Sequence, residues 1–483
     1  MNDKKKPVVL VICPPEPDLC KEFKTIVLKP YIGEVPMGVL YLAGQLEEAS
    51  FQSIIFDLTV DPRPTDEFLE ELDQLDPLLV GFSVTLLNVR FTNELACRFK
   101  SKRPDIPIIY GGPHVTILPQ KHADYDFVDF VVTNEGELAL VELAKQVQRG
   151  GINARFSHDK KIIEGQHPNF DELALPARHL VDIGRYRRRG QVMDVSPTDI
   201  VCTSRGCPFN CAFCSSKTIW HQKYYMRSPE KVVDEIEFLM REYGTKGIYF
   251  REDNFTVNRQ HVFGMCDQIK RRNLDIRWEC ESRVDTVTKD MLVAMKEAGC
   301  SGIWCGVESG SPRILKKIRK GFTIDKVLSF YEWCRELDIP THAMFMLGFS
   351  GETPDDLRAT YELALKLPTN RVQFATYCGF PGSEMYDEIK GGELVVAQWE
   401  DLLISRNEYF TQEQLYELEA AMNYQANRNR FRLGTRKISI ERTIRWLSYA
   451  AHPKMGWRLF RQKVSKPSGN TNVLDLLNAA SKR

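Results

Sequence analysis

The stretch CTSRGCPFNCAFCSSK places Cys207, Cys211 and Cys214 at the spacing C-x3-C-x2-C. Three thiolates so placed can hold three irons of a [4Fe-4S] cluster and leave the fourth iron without a protein ligand. Zinc asks for four tetrahedral ligands at paired C-x2-C spacing. Cys202 and His221 are spare ligands nearby, and neither sits at zinc-ribbon spacing. A ferredoxin-type cluster needs a fourth cysteine in a different arrangement. Most other cysteines are scattered singly, as at Cys13, Cys97 and Cys334, and read as small buried hydrophobes. The amino-terminal MNDKKKPVVLVICPP has an apolar run of only Val8 to Ile12, a first strand rather than a signal peptide. No stretch approaches the ~18 apolar residues of a membrane span. The expectation is a cytoplasmic protein whose 13 cysteines stay reduced.

With 483 residues, 43% of them hydrophobic, the chain can bury two or three cores. Lys+Arg and Asp+Glu are equal at 65 each, so no global charge points to nucleic acid. Val8–Ile12, Ser53–Asp57, Leu78–Ser83, Pro107–Tyr110 and Phe127–Thr133 read as strands, with helices at Pro36–Glu48 and Glu135–Gln148. That alternation predicts a doubly wound, flavodoxin-like or Rossmann-like parallel sheet over residues 1–160. Residues 161–195 have little periodicity and read as a linker lying on a surface. A second series of strands begins at Ile200–Thr203 and continues through Gly247–Arg251, Ile276–Glu281, Ser301–Val307, Thr341–Leu347 and Val372–Tyr377. Six βα units predict a partial (β/α)6 barrel of the TIM type over 196–400. Ser228-Pro229, Ser311-Pro312 and Thr353-Pro354 mark helix starts within it. Residues 401–483 read as a helical tail.

The cysteine loop, with Phe213 directly before the last cysteine, resembles the signature of the radical S-adenosylmethionine superfamily. RSPEKVVDEIEFL, REDNFTVN, CESRVD, GCSGIWCGVESGS and FMLGFSGETPDD resemble one branch of it, and the likeness covers about residues 1–400. That branch carries an amino-terminal cobalamin-binding domain and includes methylases and the anaerobic magnesium-protoporphyrin ester cyclase. The resemblance implies that the open iron takes the amine and carboxylate of S-adenosylmethionine. An electron from the reduced cluster then breaks a sulfur–carbon bond and releases a 5′-deoxyadenosyl radical.

In a barrel of this kind reactive groups gather at the carboxyl ends of the strands. Glu252 and Asp253 end the second barrel strand and are candidates for the cofactor's ammonium. Ser282 and Arg283 end the third and are candidates for its ribose and carboxylate; Glu308 ends the fourth and could hold the ribose hydroxyls. Gly348 follows the fifth, near the expected adenine, on which Phe213 could pack. Each has a plain structural alternative as a cap, a buried carboxylate or core. For cobalamin the candidates are Ser83, Thr85, Gly111, Gly112, His114, Glu135 and Gly136, all in loops after strands of the first sheet. Many cobalamin domains ligate cobalt through an Asp-x-His-x-x-Gly histidine. After Asp57 this chain reads FDLTVDPRP and has no histidine there.

From Arg428 to Lys466 the tail carries twelve Lys/Arg and one acidic residue, Glu441. It could rest on an anionic membrane surface, hold an anionic substrate or face solvent. The expected activity is a cobalamin-dependent methyl transfer to an unactivated carbon of a small-molecule, lipid or tetrapyrrole-type substrate. Oxidative cyclisation or rearrangement is the alternative. Either chemistry calls for an electron donor such as flavodoxin or ferredoxin.

Overall fold

The structure is a computed structural model and describes residues 6–16, 33–150, 162–428, 430 and 472–480. The basic stretch of the tail therefore lies almost wholly outside the described residues. No helix among the described residues is long and apolar enough to cross a membrane.

The first half runs β1 (Val8–Ile12), α1 (Met37–Glu48), β2 (Ser53–Asp57), α2 (Thr65–Gln74), β3 (Leu79–Ser83), α3 (Val89–Lys102), β4 (Ile108–Gly111), α4 (Pro113–Ile117), α5 (Pro119–Ala123), β5 (Phe130–Thr133), α6 (Glu137–Gln148) and β6 (Ile162–Glu164). The six strands form one parallel sheet in the order β2-β1-β3-β4-β5-β6. Alternate residues of each strand feed two cores. Val9, Val11, Val80 and Phe82 pack with α2 and α3; Val8, Leu10, Leu79 and Ile109 pack with α1 and α6. Strands covered on both faces read as continuous apolar runs, as VVLVI does. The order turns back between β1 and β3, the switch point at which such sheets bind ligands.

The second half continues with β7 (Thr198–Val201), β8 (Ser204–Gly206), α7 (Ser216–Trp220), β9 (Tyr224–Met226), α8 (Pro229–Tyr243), β10 (Gly247–Phe250), α9 (Arg259–Arg271), β11 (Arg277–Ser282), α10 (Lys289–Glu297), β12 (Cys300–Glu308), α11 (Pro312–Lys317), α12 (Ile324–Glu336), β13 (Thr341–Leu347), α13 (Pro354–Lys366) and β14 (Arg371–Thr376). Six of these strands make an open parallel sheet in the order β14-β13-β12-β11-β10-β7. Cys280, Ile303, Cys305, Phe345 and Phe374 point under the helices into one core. Their neighbours Glu281, Trp304 and His342, in register across β11, β12 and β13, belong to the other face, the inside of the partial barrel. The expected helix starts are capped: the Ser228 and Ser311 hydroxyls accept from the Lys231 and Ile314 amides. Thr353 and Asp356 form a reciprocal capping box. A small antiparallel sheet of β15 (Cys378–Gly379), β16 (Val395–Trp399) and β17 (Leu402–Ser405), with α14 (Glu384–Ile389) inserted, precedes α15 (Gln412–Arg428) and α16 (Val473–Ala480).

The stretch read as a surface linker is instead bound to both halves. Its start supplies β6, a three-residue edge strand too short to show a period. Glu279 accepts from the backbone amides of Gln191, Val192 and Met193 at 2.7, 2.7 and 2.9 Å. Arg178, 2% exposed, pairs with Glu235 of α8 at 2.8 Å, and Arg227 pairs with the same carboxylate from the other side. Burial pushes Glu235 up, but Arg178 and Arg227 outweigh it and hold its carboxyl below the usual range. Glu235→Ala strands two buried guanidiniums and is expected to cost about 3–5 kcal/mol in urea denaturation at pH 7. A loss under 1 kcal/mol would show the triad to be incidental. Because the folded value lies below the unfolded one, the contribution is whole above about pH 4.5 and fades as pH falls below it.

Candidate active site

The cysteine loop is held at both ends before any ligand is considered. β8 pairs antiparallel with β9, and Gly206 closes it at φ +85°, where a Cβ would sit 2.3 Å from the Lys223 carbonyl. Each of the three thiols then meets an N–H. The Phe209 amide acts on Cys207, the Arg283 guanidinium Nη1 donates to Cys211 Sγ at 3.2 Å, and the Ser216 amide donates to Cys214 Sγ at 3.4 Å. Burial pushes the Cys207 thiol up and the Cys214 thiol up to about 12. Among the described residues no three His, Cys, Asp or Glu side chains converge on a single ion. A four-iron cluster takes each thiolate on its own iron. Hydrogen bonds to sulfur are what such clusters use, so the donor set fits.

The candidates around this loop fall into two groups. Glu308 ends β12 at φ +66°, beside a register shift against β13, and its Oε1 pairs with Lys320 Nζ at 3.0 Å. A bulge at a strand end with a carboxylate in the left-handed region is strain of the kind found at functional sites. The pair occupies the space that a side chain at Gly306 would fill. Phe213 lies 5.7 Å below Lys320 Nζ and packs on Phe349. Lys320 was not legible as a site residue; only its contacts reveal it. Asp253 accepts from Ser216 of α7 at 2.6 Å. Burial raises Glu252 to about 7 against the bonds it accepts from Ser204 and Thr203, the residues just ahead of the cysteine loop.

The second group is already committed elsewhere. Ser282 Oγ bonds Thr256, and Arg283 divides its donors among Asp285, the Lys320 carbonyl and Cys211. Gly348, at φ +89°, faces Leu415 of α15, where a Cβ would come within 2.9 Å; the turn and that close approach account for the glycine.

A cavity of about 440 Å3 separates the two sheets. One wall is the first sheet's face and its loops, including Leu10, Gly81, Ser83, Gly111, Gly112, Glu135 and Gly136, with Gly38 and Tyr41 of α1. The facing wall is Cys202, Arg205, Trp220, Arg251, Glu252 and Asp253, on and beside the strand that feeds the cysteine loop. Gly112, at φ +108°, has the Val84 carbonyl 2.7 Å from where a Cβ would be, so any side chain there is excluded. Thr85 and His114 do not line this cavity. The Thr85 amide donates to Asn88, and His114 lies buried between Asp401 and His122, each at 3.0 Å. The turn after Asp57 is closed by Thr59 and Tyr186 and also lies outside the cavity wall. Arg205, inside the cysteine signature, was missed: it pairs with Glu135 and with Glu137 at 2.8 Å and lies over Phe170 at 4.5 Å. It fastens the first sheet's last loop to the second half.

The comparisons with known proteins agree with this geometry. Residues 201–364 match the family model described as the radical SAM superfamily, and residues 24–144 match the B12 binding domain. The chain is 31% identical over 398 residues to an uncharacterized methyltransferase of Pyrococcus horikoshii, covering 79% of this chain and 85% of the relative. It is 28% identical to the hopanoid C-3 methylase of Methylococcus capsulatus, covering 74% and 69%. Identity to the anaerobic magnesium-protoporphyrin IX monomethyl ester cyclase of Rubrivivax gelatinosus is 27%, covering 73% and 66%. In fold it is similar to the radical S-adenosylmethionine methyltransferase TsrM from Kitasatospora setae, with a TM-score of 0.69 at 18% identity over 99% of both chains. The sheets, the thiol loop with its N–H donors and these matches together show that the chain belongs to the radical SAM superfamily, in the branch that carries a B12 binding domain and uses a [4Fe-4S] cluster, S-adenosylmethionine and cobalamin.

Proposed function

We propose that this enzyme is a cobalamin-dependent methyltransferase that modifies an unactivated carbon of a small-molecule substrate. One observation carries the reading: a single cavity touches both the first sheet's ligand loops and the strand that leads into the cysteine loop. When bound, the cluster and S-adenosylmethionine supply a carbon-centred radical, and cobalamin supplies a methyl group. The chain's part is to hold them on facing walls. Ser83, Gly111, Gly112, Glu135 and Gly136 take cobalamin, with Gly112 letting its loop pack against the Val84 backbone. Cys207, Cys211 and Cys214 take the cluster. Glu308, Asp253 and Phe213 border S-adenosylmethionine, and Glu252 braces the loop that presents the open iron.

The test is the fate of S-adenosylmethionine in reduced, cobalamin-loaded protein. Methyl transfer leaves S-adenosylhomocysteine beside 5′-deoxyadenosine. Cyclisation or rearrangement leaves 5′-deoxyadenosine alone. Accumulation of both, with S-adenosylhomocysteine lost when cobalamin is withheld, is the expected result. 5′-Deoxyadenosine alone would favour the cyclase-type reading instead.

Glu308 gives a narrower check. Its Oε1 is taken by Lys320, which leaves Oε2 to accept from a ribose hydroxyl. A lost charge-assisted hydrogen bond costs ~1.5–3 kcal/mol, so Glu308→Gln is expected to weaken S-adenosylmethionine binding about tenfold by calorimetry. Unchanged affinity would remove Glu308 from that pocket.

A further inference from the structure

Arg283 has a different place from the one its position after β11 suggests. A residue there is expected to bind the carboxylate of S-adenosylmethionine, yet its guanidinium is nearly spent. Nε and Nη2 donate to the two oxygens of Asp285, both at 3.0 Å, and Nη2 also donates to the Lys320 carbonyl. Nη1 donates to Cys211 Sγ at 3.2 Å. The plane of the group rests 3.9 Å from the ring of Phe209, within the cysteine loop itself. Its side chain is 6% exposed, so solvent and salt screen its charge little.

A second buried cation, Lys320, adds to the positive field around Cys211. Lys320 is buried, its ammonium pairs with Glu308, and Cys211 lies close enough to add to the field there. The Arg283–Asp285 pair thus turns its cationic end toward Cys211 and keeps the carboxylate on the other nitrogens. A guanidinium aimed at the Cys211 thiolate, with a second buried cation nearby, favours whatever state of the cluster carries more negative charge.

We infer that Arg283 sets the reduction potential of the cluster through Cys211, with Asp285 as its counterweight, rather than binding S-adenosylmethionine. Reduction adds one electron to the cluster. The guanidinium stabilises the extra negative charge, and the carboxylate of Asp285 partly cancels that effect. The two residues therefore act with opposite signs, which a purely structural clamp would not produce.

The inference rests on the cluster assignment and is read without substrate or turnover. The experiment is a redox titration of the anaerobically reconstituted full chain, followed by the electron-paramagnetic-resonance signal of the reduced cluster. Arg283→Gln is expected to shift the reduced-to-oxidised ratio at a fixed potential about tenfold toward oxidised, which is ~60 mV for a one-electron couple. Asp285→Asn is expected to move the midpoint the other way. If Arg283→Gln does not assemble, the upward shift in Asp285→Asn decides alone. A midpoint in Asp285→Asn that matches or falls below the wild type, with a full cluster signal, overturns this inference and leaves the cluster assignment intact. Absence of any reduced-cluster signal in the wild type overturns both.

Discussion

Replacing Cys207, Cys211 and Cys214 together by alanine is expected to abolish iron and sulfide binding, from about four of each to none. The wild type, reconstituted without oxygen, should show the broad charge-transfer absorption of a four-iron cluster, and the triple variant should not. The size of the effect follows from the environment. The three thiols are the cluster's protein ligands, and the N–H donors around the loop cannot hold iron without sulfur. The fold should survive, because the loop is fixed by Gly206, by the β8–β9 pairing and by Glu252 rather than by the thiols. Iron retained in full by the triple variant, or zinc held tightly by the wild type, would end the assignment.

Gly38→Leu is expected to remove cobalamin binding while leaving the protein folded. Gly38 lies in α1, on the cavity wall, and a Cβ built there meets nothing within 4 Å. Leucine is also the better helix former, by about 0.8 kcal/mol. The added side chain therefore enters the cavity instead of straining the helix. Expected is a fall in cobalamin affinity of at least tenfold, seen in equilibrium dialysis against hydroxocobalamin, with thermal stability equal or higher. Full binding in Gly38→Leu would place cobalamin elsewhere. A companion reading concerns cobalt itself. The turn after Asp57 carries no histidine and lies off the cavity wall, and His114 is held by Asp401 and His122. With no imidazole from these positions and the cofactor's own dimethylbenzimidazole displaced from cobalt, a cobalt(II) spectrum without nitrogen superhyperfine splitting is expected.

Much of this could be read from the sequence because the relevant signals are local. VVLVI and its successors are strands by their apolar runs, and Ser228-Pro229 announces α8 by capping alone. The thiol spacing needed no structure. What could not be read depends on meetings between distant residues. Ile162–Glu164 pairs with β5 but is too short to show a period. Arg178 looks like one arginine among many in a polar stretch until Glu235, 57 residues on, closes around it. Arg283 sits where a carboxylate-binding arginine is expected; only Asp285, Phe209 and Cys211 around it redirect its charge. His114 follows the glycine pair that lines the cavity, yet its helix turns the ring away.

Arg205 bears on how such a protein could be rebuilt. It belongs to the half that holds the thiols, yet both of its carboxylate partners, Glu135 and Glu137, belong to the half that faces them. Both partners are buried, so a cut near residue 160 would leave two carboxylates uncompensated on one fragment, one arginine uncompensated on the other, and would separate the first sheet from its edge strand. The halves are thus not interchangeable parts. A first half borrowed from a relative will assemble here only if it brings acidic residues at the positions of Glu135 and Glu137 and carries its own continuation through β6.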